Sequence, residues 1–97
     1  MINWFDARAA AQFGATLAQA VTAKIPLDTS ADEKKFSRKA SELLTAMDGQ
    51  IANFTRTHPL NLYKKAKLGN AFKWALLDAG YRPAYVEELT EWLLARC

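Results

Sequence analysis

Three prolines do more than any other feature to limit what this chain can fold into. Pro26, Pro59 and Pro83 punctuate the sequence. Proline disfavours helical geometry at the residue before it and is accepted in a helix mainly in the first turn. The stretches between these marks repeat apolar residues at the helical period, and no stretch alternates as a half-buried strand would. The expected fold is all-α, a compact four-helix bundle-like domain. Its helices are expected at about 5–25, 30–57, 61–79 and 83–95 of a single domain spanning 1–97. The connections are short, so consecutive helices should pack antiparallel or at steep angles.

In the first helix, Ala10, Phe13, Leu17, Val21 and Ile25 share one side, with Arg8, Gln12 and Gln19 opposite. Trp4 and Phe5 are expected to close the end of the core. Ser30 and Glu33 have the spacing of a capping box at the start of the second helix. Phe36, Ala40, Leu43, Leu44, Met47, Ile51 and Phe54 then hold one face for about five turns, while Arg38 and Glu42 sit at a pairing distance of four. Asn61 suits the N-cap of the third helix and Gly80 its end. In the fourth, Tyr85, Val86, Leu89, Trp92 and Leu93 form the stripe, with Glu87, Glu88 and Glu91 outside it.

The third segment, NLYKKAKLGNAFKWALLDAGYRP, looks at first like a basic recognition helix. On a wheel of about 100° per residue, Leu62, Ala66, Leu77, Tyr63 and Trp74 cover one arc. Leu76, Phe72, Ala79, Leu68 and Ala75 continue it, and Lys64, Lys67, Ala71 and Asp78 are left on a narrow polar strip. A helix apolar nearly all round is a buried one, so the third helix is expected at the centre of the bundle. Its lysines disperse: Lys64 and Lys67 face water, Lys65 points elsewhere, and Lys73 falls within the apolar arc. Lys73 should lay its alkyl stem over the core and send its ammonium to water. The sharper alternative is a partly buried lysine paired with a carboxylate, such as Glu88 or Asp6. Gly14 and Gly69 both fall on buried faces, which suggests that the first and third helices cross closely there, with Gly69→Leu strongly destabilising. The rival reading breaks the third helix at Gly69-Asn70, with Asn70 capping a second segment.

Charge narrows the function. The chain is +3 overall, with Arg56, Lys64, Lys65, Lys67 and Lys73 unopposed by any acid between Gly49 and Leu77, and an excess of acid beyond Pro83. Such polarity can guide a partner or let two copies meet head to tail. Phosphate loops, nucleophile elbows and zinc-protease helices are absent. His58 is the one histidine and reads as a helix-end residue. Glu87 and Glu91 read as a solvated face. No cofactor, metal or enzymatic activity is expected. Cys97 is the only cysteine, which excludes an internal disulfide and favours a reducing, cytoplasmic setting. No apolar run approaches the length of a membrane span, and the start MINWFDARAA does not read as a secretory signal.

The function expected is a small non-enzymatic helical module for protein–protein interaction, with another protein or a second copy as partner. The binding candidates are Tyr63, Lys64, Lys67 and Trp74. The second reading is nucleic-acid binding, with Arg56, Lys64, Lys65 and Lys67 contacting phosphates.

Overall fold

The computed structural model describes residues 7–25 and 33–97, with side chains in the second stretch from Ala40 onward. It contains four helices and, among the described residues, no strand: α1 (Arg8–Lys24), α2 (Glu33–Thr57), α3 (Leu62–Ala79) and α4 (Pro83–Arg96). Trp4, Phe5, Asp6, the Ser30 end of the capping box and the Arg38 side chain lie outside the described residues.

The helix ends follow local chemistry. Ile25 leaves helical geometry for extended backbone (ψ 114°) immediately before Pro26, as the proline ring demands. α2 stops at Thr57, one residue before the His58-Pro59 pair. At the start of α3 the Asn61 side chain accepts from the Lys64 backbone N–H at 2.8 Å. At its end Gly80 takes a φ of 105°, a left-handed conformation in which a β-carbon would clash. The Gly80 N–H then donates to the Leu77 carbonyl and the Tyr81 N–H to that of Leu76, the two bonds of a Schellman ending. Pro83 occupies the first turn of α4.

Pairs of positions that meet reveal the directions of the helices. Gly14 lies against Leu68, and Tyr81, just past α3, reaches the carbonyl end of α1 at Ile25. α1 and α3 therefore run parallel. Phe13 of α1 stacks on Phe54 of α2, and Leu94 of α4 lies against Gly69 of α3, so α2 and α4 run the opposite way. α3 is the most connected helix, packing most extensively on α1 and next on α4. Parallel helix dipoles repel, but modestly compared with burial. Leu17 and Val21 of α1 and Leu68, Phe72 and Leu76 of α3 are all fully buried, each contributing about 1.5–3 kcal/mol.

The close crossing of α1 and α3 belongs to Gly14 alone. A methyl built there would collide with the Leu68 carbonyl oxygen and sit 3.3 Å from the Ala71 Cβ. Gly69 does not face α1. Its added methyl would meet the Leu94 side chain of α4, 2.9 Å from a terminal carbon. α3 is flanked by two helices, and the two glycines mark different seams: Gly14 of α1 lies against α3, and Gly69 of α3 lies against α4. α3 is also continuous through Gly69-Asn70, so the broken-helix alternative does not hold.

The buried hydroxyl of Tyr81 donates to the Ile25 carbonyl and lies 3.5 Å from that of Val21. It satisfies the Ile25 carbonyl, which lies past the last turn of α1 and has no further helical turn to bond it, whereas the Val21 carbonyl already accepts from the Ile25 N–H. Burial raises the pKa of this phenol above its ordinary value.

Candidate functional site

The wheel of α3 closes less completely than its apolar content suggests. Leu68, Gly69, Phe72 and Leu76 are buried, but Leu62 is 81% exposed and Trp74 55%. Ala66, Lys67, Asn70 and Lys73 are exposed beside them. These residues occupy one arc of about 140° on the wheel. The expectation of burial nearly all round is therefore corrected: α3 bridges α1 and α4 with one side and turns the other to water. α2 packs on α1 and does not close over that outward side.

Lys73 is exposed on this arc, so it is not a buried cation. The signal that could have shown this is Asn70. It falls at the middle of the supposed apolar arc, and an amide there is costly to bury unless hydrogen-bonded.

The outward side chains are ordered along the helix. The Lys67 Nζ sits 5.5 Å from the centroid of the Tyr63 ring, a cation–π contact one turn apart. The Trp74 Nε1 donates to the Asn70 Oδ1 at 3.1 Å, which lays the indole along the helix surface. Phenol, cation, amide and indole thus succeed one another over three turns.

The structure brings Tyr63, Lys67 and Trp74 together and sets Lys64 apart. Lys64 is half-buried rather than on a water-facing strip, and it lines a cleft with Arg8, Phe54 and His58. Lys65 lies on the α4 side, where its charge acts on the Cys97 thiol. Arg56 extends from α2 and donates to Asn53 Oδ1 at 2.7 Å. The four phosphate candidates therefore do not share one helix face.

The remaining singled-out residues fall elsewhere. His58 stacks on Phe54, with ring centroids 4.5 Å apart, in addition to sitting at the helix end. Cys97 is half-buried and packs on the core. Burial pushes its thiol pKa up and outweighs the opposing pull of Lys65, and a thiol held protonated is a weak nucleophile. Glu87, Glu88 and Glu91 are exposed on α4. Between α2 and α4 runs an apolar groove past Leu44, Leu89 and Trp92, tied at one end by the Arg96–Asp48 ion pair at 2.9 Å. Among the described residues no helix is long and apolar enough to cross a membrane.

No family model, curated protein or solved structure matches this chain.

Proposed function

We propose that this chain is a small non-enzymatic helical module that binds another protein through the outward side of α3. The observation that carries the reading is the alignment of exposed Leu62 and Trp74 with Tyr63, Lys67 and Lys73 on one helix face. Scattered exposed apolar side chains need no explanation, but an aligned set containing aromatics has the composition of a binding patch. Burying Leu62 and Trp74 against a partner would recover about 1.5–3 kcal/mol each.

The partner that fits is an amphipathic helix bearing acids toward the two lysines. The chain's own α4 exposes Glu87, Glu88 and Glu91, so a second copy is the first partner to test. A reducing, cytoplasmic setting accords with the single cysteine.

Light scattering over a wide concentration range, in low and moderate salt, tests self-association. Mass that rises with concentration, and falls back in Trp74→Ala, supports a partner copy. A strict monomer throughout removes self-association and turns the search to capture by immobilised acidic helical peptides.

Nucleic-acid binding is the second reading. It draws on the same face, since Tyr63 and Trp74 beside Lys67 and Lys73 have the make-up of a base-stacking platform. Titration with short single-stranded DNA would favour it if the Lys67 resonances shift and affinity falls steeply with salt.

A further inference from the structure

We propose that the outward side of α3 docks, in a second copy of this chain, into the apolar groove between α2 and α4. The contact is head to tail, and it rests on the reading of α3 as a binding face.

The groove follows from how the helices pair. α2 packs on α1 and α4 packs on α3, while α2 and α4 meet each other only marginally. Between them lie two adjoining hollows that share Ala40, Leu44 and Trp92. The first encloses about 250 Å³ between Leu43, Leu44, Leu89 and the Trp92 ring, room for one large apolar side chain. The Trp92 indole carries the Arg96 guanidinium on one face, 4.1 Å from the ring centroid, and Arg96 is in turn tied to Asp48. This wall is ordered before a partner arrives, which lowers the cost of binding.

Charge selects the occupant. Asp48 and Arg96 pair with each other at 2.9 Å, so Glu88 supplies the net charge of the groove lining among the described residues. Glu91 is exposed one turn further along α4. The matching occupant carries apolar side chains flanked by cations. The outward side of α3 is such a surface, with Leu62 and Trp74 exposed beside Lys67 and Lys73. The Trp74 Nε1 already donates to Asn70, so covering the ring strands no donor. With Trp74 set over the hollow, the two lysines approach the rim formed by Glu88 and Glu91. Removal of Leu62 and Trp74 from water supplies affinity, and opposite charge supplies register. Face and groove are different surfaces, so a single contact between two copies leaves one face and one groove free. The copies then either close into a ring or extend as a filament.

The test is the mass of the intact chain in solution, by sedimentation velocity over a wide concentration range in low salt. Wild type should associate as concentration rises. Trp74→Ala keeps the groove and loses the face. Glu88→Lys/Glu91→Lys keeps the face and turns like charge toward the lysines. Both glutamates are exposed, and circular dichroism verifies that the variant folds. Each variant alone should associate more weakly than wild type by about tenfold or more. An equimolar mixture of the two should form a species of two chains and no larger, because one supplies the intact groove and the other the intact face. Mixed variants that stay monomeric overturn the proposal. A groove variant that associates like wild type, with Trp74→Ala monomeric, also overturns it and leaves α3 as a face for some other surface. If Trp74→Ala associates like wild type, both the docking and the reading of α3 fall. A wild type that stays monomeric at every concentration overturns the docking, and the reading of α3 then stands or falls on the acidic helical peptides.

Discussion

The two sides of α3 have similar apolar content and opposite fates. The inner side carries Leu68, Phe72 and Leu76, all fully buried, and includes Leu68, whose backbone touches α1 at Gly14. The outer side carries Leu62, Tyr63, Ala66 and Trp74, with Leu62 and Trp74 well exposed. What separates the sides is where the polar groups sit: Asn70 and Lys73 interrupt the middle of the outer side, where a core would have to satisfy or neutralise them, whereas Lys65 on the inner side lies in the first turn. Hydrophobic content alone does not choose the buried face of a helix. The polar residues inside an apolar arc choose it by exclusion.

The comparison can be broken most forcefully at Gly14. Gly14→Ala puts a methyl into the Leu68 carbonyl, and backbone cannot yield as a flexible side chain can. Alanine also gains about 1 kcal/mol in helix propensity over glycine. A net loss of about 2–3 kcal/mol in urea unfolding is nonetheless expected. An unchanged midpoint would mean that the α1–α3 seam is not closely packed.

A smaller effect is expected at Tyr81. Tyr81→Phe removes the donor to Ile25 and leaves a buried carbonyl short of a partner, costing about 1–2 kcal/mol. The same phenol makes the inner side sensitive to alkali. Burial raises the pKa values of Tyr81, Tyr85 and Cys97, so their protonated forms are favoured in the fold. Their stabilising contribution is complete below the ordinary pKa of each group and is lost as pH rises through the raised value. Unfolding midpoints followed from pH 8 to pH 11 should fall toward the alkaline end, and the fall should be shallower in Tyr81→Phe.

The smallest effect on stability is expected on the outer side. Trp74→Ala should change the unfolding free energy by no more than about 0.5 kcal/mol, as exposed positions generally do. A loss several times larger would show that the indole is structural and would weaken the case for a partner surface.

Much of the architecture was legible in the residues. Pro26, Pro59, Asn61, Gly80 and Pro83 mark the ends of helices through backbone geometry that acts locally. The spacing of Leu43, Met47 and Ile51, all buried, marks the inner stripe of α2. Less legible was whatever depends on which helices become neighbours. Gly69 does mark a close approach, but its neighbour is α4 and not α1, because periodicity specifies a face and not the helix opposite. Lys64 and Lys65 illustrate the same limit, since adjacent residues on α3 finish in different surroundings. The site candidates Tyr63, Lys67 and Trp74 share a face because their spacings of four and seven are multiples of a helical turn. The cleft of Arg8, His58 and Lys64 joins residues from three helices, and no local pattern announces it.

The parallel pairing of α1 and α3 also has a consequence for how the chain assembles. Gly14 and Leu68 meet only after the whole of α2 has been carried back across the bundle, whereas α3 and α4 are joined by a tight turn. Closing a loop of that length costs roughly 3–4 kcal/mol of chain entropy, and no contact along the seam offsets it until the ends have met. The most extensive interface is thus also the one longest delayed. Refolding should be slow for a small helical protein, with the α3–α4 hairpin as the platform on which α1 finally docks.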